Sequence, residues 1–562
     1  MGLVRILLPL PRAAARLAPG VGRPLLGAAL SWCVMPRWVL LRPPPAQRRL
    51  AWAQELVALY RAPADPDRLS RALALQAYGL LLSMRYEEAC AAVEASLAVP
   101  GARLSVAQSG HAVHLRAQAL AGLGRYEEAL ESAREAVESY RRGPTPGRRD
   151  RPLGNLPGAL RTHAFVLGGL HRTPESVAVY EECAALLRAM SVRELAHVQL
   201  VRPRVFVELV GGLRALGRYE EALAVGAEAR EAVQGPLVWS VPEIVLALRV
   251  QLLGDLAACE SAGGRPKDAR ATAGEAVAQA RRLVVRHPES GEPHLAAVLD
   301  VLAAVLDELK AYDEELTALR ELAALYTRLE ADPLLADTLD DIARCLGRTG
   351  DRPAARAEGE RAVSVARRAA ERDPERHEPR LARLLANLSA RQQESDEPEP
   401  AVVTGREAVA LTRRLAEADP ATYRPLLARR LRVLARALRR TGEYDTAVDC
   451  YEEAEAVLDE LTENAAELAL THSQLAPTLR AAARAHLEAG RTAEAVAALR
   501  SLLDLTRRAD GTDVHALCVT AFAESRAEWG SIVRAWEEAT GEPYPTFVYT
   551  RLRGRGSNPA AR

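Results

Sequence analysis

Residues Gly124–Leu130 read GRYEEAL, and this heptapeptide recurs along the chain. It returns as MRYEEAC from Met84, unchanged from Gly217, and more loosely from Gly442 and Gly490. Ten copies can be aligned on their first residue, which we call the anchor. The anchors are Met84, Gly124, His171, Gly217, Gly264, Lys310, Gly350, Asp396, Gly442 and Gly490, spaced by 40 to 48 residues. Such a period predicts stacked helical repeats.

Two further positions of the copies support this alignment, because they were not used to make it. Seven residues before the anchors stand Ala77, Ala117, Ala164, Val210, Ala257, Ala303, Ala343, Ser389, Ala435 and Ala483. Twelve residues after them stand Ser96, Ala136, Cys183, Ala229, Ala276, Leu322, Ala362, Ala408, Ala454 and Leu502. Mostly small residues on both sides of a turn allow two antiparallel helices to approach closely.

Proline and charge predict where the helices begin and end. Pro293, Pro333, Pro379 and Pro425 each lie 17 residues before an anchor, which favours the first turn of a helix. A second proline five residues earlier, at Pro288, Pro374 and Pro420, predicts a loop leaving the preceding repeat. The second helix opens with acids such as Glu127 and closes with Arg141 and Arg142, which suits its dipole. Each copy is therefore predicted to be a helical hairpin.

These residues resemble the tetratricopeptide repeat family, with small residues before the turn, a Gly-x-Tyr turn and an alanine early in the second helix. The resemblance covers roughly residues 68–545. It implies an all-α, right-handed α-solenoid of about ten helix-turn-helix repeats with N- and C-terminal capping helices. About 34 residues is the usual spacing in that family, so the longer spacing here implies longer helices and a longer exit. The spacing is similar to that of long-spaced actinobacterial arrays.

The repeats suggest a division of the chain. We expect a basic apolar N-terminal arm at 1–54, the solenoid at 55–510, C-terminal capping helices at 511–550 and a disordered tail at 551–562. Residues 143–157 and 234–242 are rich in Pro and Gly. They are either long loops between repeats or points where the array bends into two arms.

Composition argues against several classes of protein. Apolar residues make up 49% of the 562 residues but aromatics only 4%, which disfavours a large β-structure. Lys+Arg and Asp+Glu are both 74, so no net field attracts nucleic acid. The seven scattered cysteines favour a reducing compartment. With no uninterrupted apolar run of 18 residues, we expect a cytoplasmic protein.

Catalytic signatures are not found in the sequence. Neither lysine follows a glycine, which excludes a P-loop. His111 and His114 could face one metal but lack a third ligand, so we interpret them as polar residues of an exposed groove face. Cys183, Cys259 and Cys345 fit core packing better than nucleophilic roles. We therefore expect no catalytic residue, metal or cofactor.

The N-terminal arm differs from the rest of the chain. It has eight arginines, three of the six tryptophans and no acid before Glu55. It could lie on a membrane surface, act as a targeting segment, or be a disordered arm or capping helix. Alternatively, translation starts at Met35. None of the repeat positions falls within residues 1–34, so we expect their deletion to leave folding intact.

The best candidate for a binding surface is the set of first helices. In the family that the chain resembles, these helices line a concave groove that binds extended peptides, often through carboxylates. Equivalent positions segregate by charge along this chain. An acidic segment comprises Asp300, Asp307, Asp337, Asp340 and Asp341, with Glu308 beside it. A basic segment comprises Arg383, Arg429, Arg432, Arg436, Arg480 and Arg484, with Arg439 beside it. A solvated arginine-rich face is the alternative interpretation.

Two functions follow from this interpretation. The first is a non-enzymatic scaffold that binds a protein or peptide carrying an acidic or C-terminal carboxylate group at the basic segment. The second is a regulatory sensor whose groove binds a peptide or small ligand and changes superhelix shape. Neither involves specific nucleic acid recognition.

Overall fold

The computed structural model describes residues 26–31, 45–61, 65–142, 156–191, 195, 198, 200–234, 242–460, 465–509 and 512–545. Throughout these ranges the regular structure is helical, and they contain no strand. The chain divides into two compact units, unit 1 (Met1–Ala311) and unit 2 (Tyr312–Arg562). The division falls just after the sixth anchor, so the two helices of that repeat belong to different units.

Unit 1 contains α1 (Ala46–Arg61), α2 (Pro66–Leu82), α3 (Tyr86–Leu97), α4 (Val106–Gly122), α5 (Tyr126–Arg142), α6 (Leu156–Gly169), α7 (Thr173–Ala189), α8 (Val201–Ala215), α9 (Tyr219–Ala232), α10 (Pro242–Ala262), α11 (Pro266–Arg286) and α12 (Pro288–Glu308). Unit 2 contains α13 (Tyr312–Arg328), α14 (Asp332–Thr349), α15 (Arg352–Arg372), α16 (Pro374–Glu394), α17 (Pro398–Ala418), α18 (Pro420–Thr441), α19 (Tyr444–Asp459), α20 (Ala465–Glu488), α21 (Thr492–Arg508), α22 (Thr512–Glu528) and α23 (Ser531–Thr540).

All ten predicted turns are present, and each anchor adopts a positive φ between 55° and 90°. In the turn after α14, the N–H of Gly350 bonds to the carbonyl of Gly347, and that of Asp351 bonds to Leu346. This pair of bonds is a Schellman motif, which closes a helix with a left-handed residue. Glycine meets this requirement without steric cost, which explains why six anchors are glycine.

The small positions are the contact points of the hairpins. All ten residues seven positions before the anchors are at most 5% exposed, and all ten residues twelve positions after them are at most 1% exposed. Within each unit, helices pack on their sequence neighbours, and first helices also contact the first helix of the next hairpin. The prediction of an all-α array of tetratricopeptide-like hairpins is confirmed, while its handedness stays a prediction.

The predicted starts of three first helices are wrong by five residues. The helices α12, α16 and α18 begin at Pro288, Pro374 and Pro420, and Pro293, Pro379 and Pro425 lie inside them. N-terminal capping explains the earlier start of two of these helices. Asp373 accepts from the N–H of Arg376, and Asp419 accepts from that of Thr422, and each cap is followed by a proline at the first helical position.

The long period is therefore taken up by the helices themselves. The helices α10, α11, α12, α15, α16 and α17 each have 21 residues, and α18 has 22. Single residues, His287, Asp373 and Asp419, separate the helices on either side of them. The expected longer helices are confirmed, but the longer exit is not found at these three junctions.

Part of the N-terminal arm joins the core of unit 1. Residues 26–31 are helical, and Leu26 and Leu30 are buried with Ala53 and Leu56 of α1. Deletion of residues 1–34, which we expected to leave folding intact, would therefore remove two buried leucines from this core. The remainder of the arm before residue 26, and the joints 143–155 and 235–241, lie outside the described residues.

The C-terminal end of unit 2 has an aromatic cluster. Phe522 of α22 packs edge-on against Trp536 of α23, with ring centroids 5.2 Å apart, and Tyr544 lies 5.3 Å from Phe522. Trp536 is 1% exposed, so these rings close the apolar end of the last hairpin. No described helix is both long and apolar enough to cross a membrane.

Candidate functional site on the first helices

Part of the acidic segment and part of the basic segment meet within unit 2. Arg383 of α16 donates to Asp340 of α14 over 3.0 Å and also to Asp337. Arg380 donates to both carboxylate oxygens of Asp337 at 3.0 and 3.1 Å. These charges therefore neutralise one another between the first helices of consecutive hairpins.

Asp340 is the centre of this network. Besides Arg383, it accepts from Asn387 at 2.8 Å and from Arg391 at 2.7 Å. Its side chain is 8% exposed and that of Arg391 is 12% exposed. The Asp340 carboxylate is buried and accepts several charge-assisted hydrogen bonds. It therefore fixes the register of α14 and α16 and is not available to a ligand.

Arg429 and Arg432 of α18 share one carboxylate, that of Glu467 on α20. Arg429 donates over 3.0 Å, and Arg432 donates to the second oxygen and, over 2.9 Å, to the Glu467 carbonyl. Burial pushes the pKa of Glu467 upward, but the bonds and charges of Arg432 and Arg429 outweigh it, so that pKa falls below its ordinary value. Glu467 is therefore ionised at neutral pH.

The exposure of the α18 arginines differs sharply. The side chain of Arg432 is 9% exposed, whereas that of Arg429 is 64% exposed. Arg436, one turn further on, is exposed and forms no ion pair within the described residues. Two arginines of this helix thus share the Glu467 carboxylate, and the third is exposed without an ion pair in the described ranges.

The remaining residues of the basic segment are also paired. Arg480 of α20 donates to both oxygens of Glu524 on α22, at 2.6 and 3.1 Å. Arg484 donates to Glu488, one turn along its own helix, at 2.9 Å. Five of the six arginines proposed from the sequence therefore have a carboxylate partner in the chain, so their binding to an external partner remains a proposal.

The rest of the acidic segment lies in three places. Asp341 accepts from Arg344 at 3.2 Å within α14. Asp300 and Glu308 line a cleft of about 480 Å³ between α10 and α12, whose floor is formed by alanine and valine. Asp307 lies on α12 as well, and neither it nor Asp300 is without a partner.

His111 and His114 do not form the exposed pair that we expected. His114 is 7% exposed, and its Nε2 lies 2.9 Å from Thr162 Oγ1 on α6. Burial lowers the pKa of His111 to about 4 and that of His114 to about 3. Both imidazoles are neutral at pH 7. No group of three His, Cys, Asp or Glu in the described ranges is arranged to hold a metal.

The cysteines considered above are core residues, as predicted. Cys183, Cys259 and Cys345 are all 0% exposed. Burial raises the pKa of Cys183 to about 12 and those of Cys259 and Cys345 to about 11. Their thiols are protonated at neutral pH and are poor nucleophiles.

A second charged face, in unit 1, escaped the sequence analysis. Arg161 of α6 lies 3.5 Å from Glu208 of α8, and the hydroxyl of Tyr180 donates to the other oxygen of Glu208 over 2.6 Å. Arg204, one turn before Glu208, is half-buried. Arg161 and Arg204 lie 10 and 13 residues before their anchors, as do Arg432 and Arg429. This shared offset from the anchors is the signal in the sequence that could have identified the charged face of unit 1.

Comparison with known proteins supports the repeat assignment. Residues 114–143, which cover the second half of α4 and all of α5, match the family profile described as tetratricopeptide repeat. No curated protein sequence matches the chain.

Solved structures with a similar chain trace are distant in sequence. A signal transduction ATPase with numerous domains (STAND) that has a tetratricopeptide repeat sensor, from Pyrococcus horikoshii, is 14% identical; the match covers 70% of this chain and 54% of that chain with a TM-score of 0.47. The apo form of RapI is 10% identical, over 78% and 98% of the two chains, with a TM-score of 0.39. A kinesin light chain with tetratricopeptide-like repeats, from Podosopora anserina, is 18% identical, over 38% and 95%, with a TM-score of 0.31.

The family match lies in the second hairpin, and the same turn geometry and buried small positions recur in the other nine copies. The chain is thus built from tetratricopeptide-like helical hairpins, of which the second matches the family profile.

Proposed function

We propose that the chain is a non-enzymatic scaffold that binds a protein or peptide partner on its first helices. Repeats of this kind use their apolar residues to stack on each other, which leaves the polar faces of the first helices for partners. The proposal assigns no catalytic step, cofactor or metal to the chain.

The observation that carries the proposal is the surplus of arginine on α18. Arg429 and Arg432 share the single carboxylate of Glu467, and Arg436 forms no ion pair within the described residues. Arg432 is buried and fully engaged, so its role is to fix Glu467 and the neighbouring helix. Arg429 and Arg436 are exposed, and their guanidinium groups are the ones that a partner can reach.

The chemistry of these two side chains defines the partner. A guanidinium group binds a carboxylate through two parallel hydrogen bonds. We therefore expect an acidic or C-terminal carboxylate group at Arg429 and Arg436, with Arg383, Arg480 and Arg484 as further contacts only where the partner replaces their internal carboxylates.

Affinity capture with the full chain, followed by mass spectrometry, identifies the partner. Arg429→Ala with Arg436→Ala should then weaken binding by tenfold or more. The matched control is Arg141→Ala with Arg142→Ala, since these exposed arginines of α5 lie on a second helix and pair with Glu182 and Glu138. Equal loss from both double variants, or loss from neither, contradicts the proposal.

The alternative function, a regulatory sensor, differs in one measurable property. A sensor changes shape when its ligand binds, whereas a scaffold with a preformed face does not need to. Small-angle scattering of the free and the partner-bound chain separates the two, with an unchanged radius of gyration of the chain favouring the scaffold.

A further inference from the structure

The first helices of unit 1 carry an arginine that has no carboxylate of its own. Arg204 donates no hydrogen bond and forms no ion pair within the described residues, although it is half-buried on α8. The groups that act on its charge are Arg161, Glu208 and Tyr78. Two arginines therefore share one carboxylate.

That carboxylate is already engaged. One oxygen of Glu208 accepts from Tyr180 over 2.6 Å, and the other lies 3.5 Å from Arg161, at the limit of a hydrogen bond. The side chains of Arg161 and Glu208 are only 18% and 23% exposed. Water screens the charges of these partly buried side chains poorly, so the solvent does not cancel the excess positive charge of the two arginines.

The surrounding groups do not supply the missing negative charge. Burial lowers the pKa of Arg204, and the nearby charge of Arg161 lowers it further. His114, which lies on α4 beside Thr162, is neutral at pH 7 for the reason given above. The ring of Tyr78 on α2 faces Arg49, whose guanidinium lies 5.1 Å from the centre of the ring.

An exposed apolar side chain lies on the same helix face as Arg161. Phe165 is four residues after Arg161, on the same face of α6, and is 47% exposed. An exposed phenylalanine next to one of two arginines that share a carboxylate matches a ligand that combines an apolar part with a negative charge.

We propose that Arg161 and Arg204 bind the oxyanion of a ligand whose adjoining apolar group rests on Phe165. The fork of a guanidinium group suits both carboxylate and phosphate, and these are the two sources that the chemistry allows. The site lies in unit 1 and is independent of the α18 arginines of unit 2, and so of the function proposed above.

Small aromatic anions test the site directly in the full chain. Phenylacetate and phenyl phosphate represent the two sources, and acetate and inorganic phosphate lack the ring. Saturation-transfer NMR at low ionic strength gives the Kd of the aromatic probes, and calorimetry gives those of the others. One aromatic probe should bind, and Arg204→Gln and Arg161→Gln should each weaken it by tenfold or more. Phe165→Ala should weaken the aromatic probe and leave its ring-free counterpart within twofold.

Control variants separate this site from general charge attraction. Arg125→Gln removes an exposed arginine that pairs with Glu128 in a hairpin turn of the same unit, and it should leave the Kd within twofold. Arg429→Ala with Arg436→Ala in unit 2 should also leave it unchanged. Absence of binding to the native chain, an unchanged Kd in a folded Arg204→Gln variant, or equal loss in Arg125→Gln overturns the proposal.

The melting temperature of the ligand-free chain provides an independent test if a binding variant does not fold correctly. Arg204→Met removes a partly desolvated, unpaired cation and keeps most of the side-chain volume, so the ligand-free chain should melt at a higher temperature while probe binding is lost. Arg204→Lys keeps the charge but loses the fork, and should bind at least fivefold more weakly. A lower melting temperature for Arg204→Met means that Arg204 is already compensated, and overturns the assignment.

Discussion

Arg391 on α16 holds Asp340 on α14 through two contacts, with its Nη1 2.7 Å from a carboxylate oxygen and its Nη2 3.1 Å from the Asp340 carbonyl. The two residues are 51 positions apart and belong to consecutive hairpins. This pair engages Asp340 of the acidic segment, so that this part of the predicted ligand surface is instead a joint between repeats.

Replacing Asp340 should therefore destabilise unit 2. Asp340→Ala leaves Arg391, which is 12% exposed, without its carboxylate, and breaking a buried pair costs about 3–5 kcal/mol. Thermal melting followed by circular dichroism measures the loss. Asp341→Ala is the control, since Asp341 is 44% exposed in its pair with Arg344 and an exposed pair contributes about 0–1 kcal/mol. Similar losses for the two variants would contradict this account.

The opposite result is expected at Glu315. This residue lies five positions after the sixth anchor, where eight other repeats have alanine. It is 0% exposed, and its Oε2 has no hydrogen-bond partner among the described residues. A buried, unsatisfied oxygen costs about 1–3 kcal/mol, so Glu315→Ala should raise the melting temperature at pH 7. The rise in melting temperature is expected in the unfolding of unit 2. A lower melting temperature would show that Glu315 is stabilising.

The benefit of Glu315→Ala should depend on pH. Burial raises the pKa of Glu315 above its ordinary value of 4.5, although Arg344 opposes this. The folded state therefore holds the proton more tightly than the unfolded state, and the native chain loses stability as the pH rises from about 4.5 through the folded-state pKa. The difference in melting temperature between variant and native chain should grow over that interval. A constant difference would contradict the shift.

Removing a glycine from an anchor should lower the stability of the chain, and introducing one at a non-glycine anchor should raise it. Gly442 has φ of 84°, and an added Cβ would meet no atom within 4 Å, so Gly442→Ala should cost only the left-handed conformation, about 1–2 kcal/mol. His171 already adopts φ of 57°, and His171→Gly should relieve that strain and gain up to about 1 kcal/mol. Chemical denaturation measures both, and changes of the same sign would argue against the turn geometry.

The small positions should not tolerate a large side chain. Ala435 is 0% exposed between α18 and its neighbours, so Ala435→Trp should cost about 1–3 kcal/mol or more by overpacking. Arg436→Trp is the matched control, because the adjacent residue is exposed. An unchanged melting curve for Ala435→Trp would mean that the repeat register is wrong.

The N-terminal arm should matter through its two buried leucines. Leu30 is 0% exposed, and Leu30→Ala should cost about 2–5 kcal/mol. Deletion of residues 1–34 should destabilise unit 1 by a comparable amount or more, whereas deletion of residues 1–24 retains both leucines and should be milder. Proteolysis at increasing temperature compares the three proteins, and identical curves for the two deletions would contradict the role of Leu26 and Leu30.

The sequence by itself determined the hairpins, because their signals are local. A left-handed anchor, a small residue seven positions earlier and another twelve positions later act within one repeat, through a single turn and a single helix contact. All ten anchors and all twenty small positions could be placed in this way. The helix starts at Pro288, Pro374 and Pro420 were missed, although Asp373 and Asp419 are N-cap residues visible in the sequence.

Only the tertiary structure decided which charges remain for a partner. Second helices pair at a regular distance along the chain, as Arg367 does with Glu407 and Arg413 with Glu453, both 40 residues apart. The pairs between first helices vary, with 35 residues between Arg432 and Glu467 but 51 between Arg391 and Asp340. Ion pairing depends on the length and rotation of each stacked helix to within an ångström or two, and residue spacing does not encode that. For this reason the sequence located an arginine face in unit 2, whereas the structure showed that most of that face is already neutralised and that Arg204, outside it, has no ion pair within the described residues.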